Sequence, residues 1–124
     1  MTIALDHTVV AAADNERAAR RFADTMGLAF DGFDGVDGKF ATVRVNDTLR
    51  LFFVTAEHVA AQHLAFAVDG PTFDGVLERL RRAGQAFGNS PRDLANGRTD
   101  HPLAARGVLW LDPDGHLYEV MTDR

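Results

Sequence analysis

His7-Thr-Val-Val-Ala-Ala12 and His63-Leu-Ala-Phe-Ala-Val68 are two short strand-like runs, each led by a histidine and set 56 positions apart. A stretch with helical periodicity follows each of them. In the first, Asp14 suits an N-cap, Ala19, Phe22, Ala23 and Met26 fall at i, i+3, i+4 and i+7, and Gly27 stands at the stop. In the second, Pro71 suits the first turn, Phe73, Val76, Leu77 and Leu80 form the apolar stripe, and Gly84 ends it. The repeat continues past the helices, with Met26-Gly-Leu-Ala-Phe30 matching Ala83-Gly-Gln-Ala-Phe87. Residues 40–45 and 49–54 then read as a hairpin around Asn46-Asp47. Their counterparts are residues 107–111 and 116–121, joined by Asp112-Pro113-Asp114-Gly115, a type I turn sequence.

Each half therefore reads β-α-β-β-β. Module one covers about residues 1–56 and module two about 62–124, with a linker over 55–61. One such unit leaves a sheet face bare, so two must pair, giving an α+β chain of two paired βαβββ modules. Aligning Thr55 with Thr122 gives an offset of 67, so the second half holds extra residues, placed as a loop between Gly88 and Arg106.

Bulk properties narrow the function. The 124 residues suit one domain. A net charge of −5 gives no electrostatic reason to expect nucleic acid or an anionic membrane as partner. Cysteine is absent, which excludes disulfides, thiolate chemistry and sulfur-ligated zinc. The N-terminal residues lack a signal-peptide pattern and no window approaches a membrane span, so a cytoplasmic protein is expected.

Strand alternation decides which side chains share a face. Leu5, His7 and Val9 point one way; His63, Ala65 and Ala67 share a face, with the bulkier Leu64, Phe66 and Val68 opposite, where a helix would pack. On the last strand Leu117, Glu119 and Met121 go together, which places an acid in the middle of an apolar strand. Histidines matched by a repeat are improbable by accident when the chain has only five. A carboxylate in a buried strand costs several kcal/mol unless paired or metal-bound. Two imidazoles and one carboxylate make a donor set for one divalent ion, Fe(II), Mn, Zn or Ni. His7, His63 and Glu119 are thus the candidate metal ligands. The alternative is that the histidines are hydrogen-bonded core residues and that Glu119 is bridged to an arginine.

Leu5-Asp-His7-Thr-Val-Val, His63-Leu-Ala-Phe-Ala-Val and Leu111-Asp-Pro-Asp-Gly-His-Leu-Tyr-Glu119 resemble the vicinal oxygen chelate superfamily, which groups glyoxalase, bleomycin-resistance and extradiol-dioxygenase proteins. The resemblance covers nearly the whole chain. It implies a half-open barrel of βαβββ modules around a metal, with His7, His63 and Glu119 at the metal positions. It also implies a homodimer, because in much of this family the site forms between two subunits. Glyoxalase I and methylmalonyl-CoA epimerase usually carry a fourth protein ligand, at the place that the 67-residue offset gives to Phe52, which cannot ligate. Three protein ligands leave open positions for a chelating substrate, which favours dioxygenase or thiol-transferase relatives.

The resemblance thus implies a metal-dependent enzyme acting on a small, oxygen-chelating substrate by lyase, dioxygenase or thiol-transferase chemistry. The rival readings are a non-catalytic small-molecule or antibiotic-binding protein of the same fold, and a vestigial site. Glu119 and His101 are the candidate catalytic groups, the latter as a general acid or base from the extra loop. Arg98 and Arg106 could hold a substrate anion, with Arg92 also in that loop, while Trp110 and Phe52 could line the pocket. His116 is expected at the surface, on the strand face opposite Glu119.

Overall fold

The computed structural model describes residues 2–123 and divides into two compact units, residues 1–60 and 61–124. Unit one runs β1 (His7–Ala12), α1 (Asn15–Met26), β2 (Phe30–Asp34), a 3-10 turn (Val36–Gly38), β3 (Phe40–Arg44) and β4 (Arg50–Thr55). Its sheet has the order β1-β4-β3-β2, with β1 parallel to β4 and the other pairs antiparallel. The Asp14 side chain accepts from Arg17 N–H at 3.1 Å, and Gly27 ends α1 at φ 73°. The buried stripe, Ala18, Ala19, Phe22, Ala23 and Met26, lies against the sheet face that carries Phe53, 6.0 Å from Phe22 between ring centroids.

Unit two runs β5 (His63–Ala67), α2 (Gly70–Arg82), β6 (Arg106–Leu111) and β7 (Leu117–Thr122), with sheet order β5-β7-β6. Asp69 caps α2 through Thr72 N–H at 2.8 Å, and Phe73, Val76, Leu77 and Leu80 are its buried residues. Asp112 Oδ1 accepts from the backbone N–H groups of Asp114 and His116, both at 2.9 Å, which closes the β6–β7 turn. Burial pushes the Asp112 carboxyl up from its usual range, against these two hydrogen bonds. Phe73 is fully buried, so Phe73→Ala should cost about 4 kcal/mol, read as a lowered midpoint in chemical denaturation.

The second half departs from the βαβββ pattern in one place. The strand expected after α2 is reduced to a single bridge, Gly88 with Leu109, because the chain turns away into the loop at residues 89–105. Neither sheet closes on itself. Among the described residues no helix is long and apolar enough to cross a membrane.

Candidate metal and substrate site

Register fixes the faces of the unit-two sheet. His63 pairs with Leu117, Ala65 with Glu119 and Ala67 with Met121, while Leu109 and Gly107 lie opposite Glu119 and Met121 on β6. His63 and Glu119 are therefore diagonal neighbours on one face, within reach of each other. The contact forms: His63 Nε2 lies 2.8 Å from Glu119 Oε1. Glu119 is only 6% exposed. Its second oxygen, Oε2, is 2.6 Å from Nε2 of His101, which the loop delivers onto the same face. The two partners are imidazoles rather than the arginine of the alternative reading; among the described residues no lysine or arginine pairs with this acid.

The loop is built to place His101. Asn89 Nδ2 donates to the Asp100 carbonyl at 2.9 Å, Asn96 Nδ2 donates to Asn89 Oδ1 at 2.7 Å, and Arg98 N–H donates to Asn96 Oδ1 at 2.9 Å. Gly107 N–H then donates to the Thr99 carbonyl at 2.9 Å. Gly107 also makes room. A methyl group there would stand 2.8 Å from His101 Cγ and closer still to Cδ2, so the ring lies directly over this glycine. Gly107, Asn89 and Asn96, which set the position of His101, are residues that the sequence reading did not single out.

His101 is almost completely enclosed, with 5% of its side chain exposed, whereas His63 is 49% exposed. One imidazole is thus sealed and the other open to an incoming ion or molecule. Leu103 N–H donates to His101 Nδ1 at 3.0 Å, which makes Nδ1 an acceptor and assigns the ring proton to Nε2, facing Glu119.

In unit one His7 occupies the matching position. His7 pairs with Arg50 and Val9 with Phe52, so Phe52 is diagonal to His7 as Glu119 is to His63. Instead of an acid, the position carries a ring stacked on the imidazole, with centroids 4.6 Å apart and planes 20° from parallel. Asp6 Oδ2 lies 2.8 Å from His7 Nδ1. That contact puts the ring proton on Nδ1 and leaves the Nε2 lone pair for a ligand, an arrangement common behind metal-bound histidines. A cleft of about 300 Å³ in the same unit is lined by Ala4, Asp6, Arg44, Asp47, Thr48 and Arg50. Arg50 there donates to Asp34 Oδ2 at 3.0 Å. With the Gly35 amide as the larger cause and Arg50 as the next, the Asp34 carboxyl is held below its usual range.

The other expected residues do not join the cluster. Alternation along β6 carries Arg106 and Trp110 to the face opposite Glu119. Arg106 Nη1 donates to Asp74 at 2.7 Å and its guanidinium lies 4.5 Å from the Phe73 ring. Trp110 is buried beside Tyr118, whose phenol burial pushes far above its ordinary range. Arg98 makes a two-toothed pair with Asp100, which holds that carboxyl below its usual range. His116 corrects the expectation of a surface residue. It is fully buried, and its Nδ1 accepts from Gln62 N–H at 3.0 Å. The face opposite Glu119 is covered by protein, with Tyr118 at 2% and Val120 at 0% exposed, and His116 follows that side.

The donor chemistry fits a divalent ion in part within unit two. Two ligands at right angles on an ion, with bonds of about 2.1 Å, lie about 3.0 Å apart. The His63–Glu119 separation of 2.8 Å is that of a hydrogen bond and lies a little short of that bite. Among the described residues no group of three or more His, Asp or Glu is arranged to hold an ion, and His101 lies against the other oxygen of Glu119.

No family model matches the chain. Its fold is that of TnmS3, an antibiotic-binding protein from Streptomyces sp. CB03234, at 21% identity, with a TM-score of 0.73 over 100% of this chain and 99% of that one. The chain is more similar to two oxidases. ChaP-H2 matches at 32% identity and a TM-score of 0.90 over 100% of this chain and 96% of that one, and ChaP-H1 at 34% and 0.87 over 99% and 98%. The chain belongs to the vicinal oxygen chelate superfamily, in which glyoxalase, dioxygenase and fosfomycin-resistance proteins share the fold.

Proposed function

We propose that this protein is a divalent-metal-dependent enzyme of the glyoxalase and dioxygenase type, with oxidase chemistry on a small oxygen-chelating substrate as the leading version. The observation that carries this reading is Glu119, an acid enclosed in an apolar sheet and held between two imidazoles without a cationic side chain. Enclosing an ionisable acid costs stability unless it is paired or metal-bound, and acids held at that cost cluster at functional sites. The similarity to the oxidases ChaP-H1 and ChaP-H2 over nearly the whole chain supports the oxidase version.

His63 and Glu119 would hold the ion, with His7 as third donor from the same chain or from a second copy in a homodimer. When bound, the ion supplies Lewis acidity toward two adjacent substrate oxygens. The chain's own groups do the rest. Asp6 aims His7 by fixing its tautomer, and the exposed ring of His63 keeps that side accessible. Small Ala65 and Ala67 on the same face leave room in front of the sheet for a flat substrate.

The test is elemental analysis of anaerobically purified protein, followed by oxygen uptake with a panel of catechols and other vicinal-oxygen compounds. About one Fe(II) or Mn per chain with substrate-dependent oxygen uptake is the expected result. An ion without oxygen uptake, but with turnover of thiol adducts or 2-oxo compounds, would move the reading to the lyase or transferase version. The second reading, favoured by the likeness in fold to TnmS3, is sequestration of a small molecule. Metal-free protein that still binds such compounds would establish that reading and overturn the enzyme.

A further inference from the structure

We propose that His101 is a positioning residue that decides which oxygen of Glu119 is presented to a ligand. This rests on the reading of Glu119 as a metal donor and adds to it a role for a loop residue that is not itself a donor. Three observations on unit two carry it. Leu103 N–H donates to His101 Nδ1 at 3.0 Å, so the only ring proton left to donate is on Nε2. That Nε2–H donates to Oε2 of Glu119 at 2.6 Å. The ring is sealed at 5% exposure and seated over Gly107, where any side chain would collide with it.

A carboxylate with free rotation about its last bond offers either oxygen, or both at once. Holding Oε2 by a buried donor removes that freedom and turns Oε1 toward His63, which it meets at 2.8 Å. Glu119 is thereby a one-oxygen donor whose other oxygen is already satisfied. In this role His101 acts through Glu119, with its two nitrogens hydrogen-bonded to Glu119 and to Leu103 N–H.

The same geometry explains why the loop is tied down by amide side chains. Asn89 and Asn96 hold the stretch that delivers His101, and the Gly107 amide anchors it at Thr99. A histidine on a mobile loop would not hold an acid in one rotamer.

The experiment compares wild type with His101→Phe, His101→Gln and Gly107→Ala. Phe keeps the flat shape without a donor, Gln restores an N–H, and the Gly107→Ala methyl displaces the ring while leaving it intact. Mn(II) affinity is measured by competition with a chromogenic chelator. The expected result is a loss of about 10–100-fold for His101→Phe and Gly107→Ala, the size typical of partners behind a ligand, with His101→Gln recovering most of it. Wild-type affinity in folded His101→Phe would overturn the proposal. A second readout needs no metal: imidazole 15N shifts of the metal-free protein should show His101 with its proton on Nε2, and that resonance should move in Glu119→Gln. A proton on Nδ1 would overturn the proposal. Wild-type protein that binds no metal yet shows the expected tautomer would overturn the enzymatic reading alone, leaving the hydrogen-bonded role of His101 supported.

Discussion

Glu119→Gln protein, purified anaerobically, should lose bound divalent metal, with an apparent affinity at least about 100-fold below wild type, beyond what outer partners contribute. The substitution preserves size and shape, so packing against Leu109 and Ala65 should persist. What changes is charge and hydrogen-bond polarity. A carboxylate accepts on both oxygens, whereas an amide accepts on one atom and donates on the other. With His101 fixed as an Nε2–H donor, the carbonyl of Gln must face His101, which turns the NH2 group toward His63. The position that offered an anionic oxygen then offers two hydrogens. The variant is therefore expected to fold normally by circular dichroism and to be silent in both metal content and turnover. Retention of stoichiometric metal would remove Glu119 from the donor set.

Gly88→Ala should be the most disruptive of the small substitutions. A methyl group at Gly88 would overlap the backbone carbonyl of Asp93 and approach Asn96 Oδ1 at 3.0 Å. A carbonyl cannot rotate aside as a side-chain tip can. Gly88 also exchanges both backbone hydrogen bonds with Leu109, at 2.8 and 3.0 Å, so it has little room to retreat. The loop must lift, at a cost of about 3 kcal/mol by comparison with overpacked cores. For a chain of this size that lowers Tm by roughly 10 °C. Because the loop carries His101, limited proteolysis should cut within residues 89–105 sooner than in wild type. Unchanged Tm and protease resistance would mean that the loop does not pack against Gly88 in solution.

Much of this molecule was legible from residue spacing. Both helix stripes follow from a period of 3.6, and the Asp14 cap and the turn at Asp112–Gly115 from cap and turn chemistry. The place of Glu119 inside an apolar strand follows from a period of 2, whereas the register that sets it diagonal to His63 is visible only in the structure. The loop was not legible beyond its existence. Its hydrogen bonds run from Asn and Asp side chains to irregularly spaced partners, which leaves no period to detect. The strand lost after α2 has the same cause, since Gly88 makes one bridge and then enters that network. Gly107 could have been noticed as a glycine inside an apolar strand, a common mark of close approach, but nothing in its neighbours named His101 as the visitor. His116 was misplaced because alternation tells which face a residue shares, not whether that face meets water.

The matched registers of the two sheets have a further consequence. His7 and His63 keep equivalent stations on their ladders, yet the residue diagonal to each has diverged into an aromatic ring in one half and an acid in the other. One half thus presents nitrogen plus oxygen at these two stations, and the other presents nitrogen plus carbon, in the same register. On the proposed donor set, a fourth oxygen donor would therefore need only a different side chain at position 52.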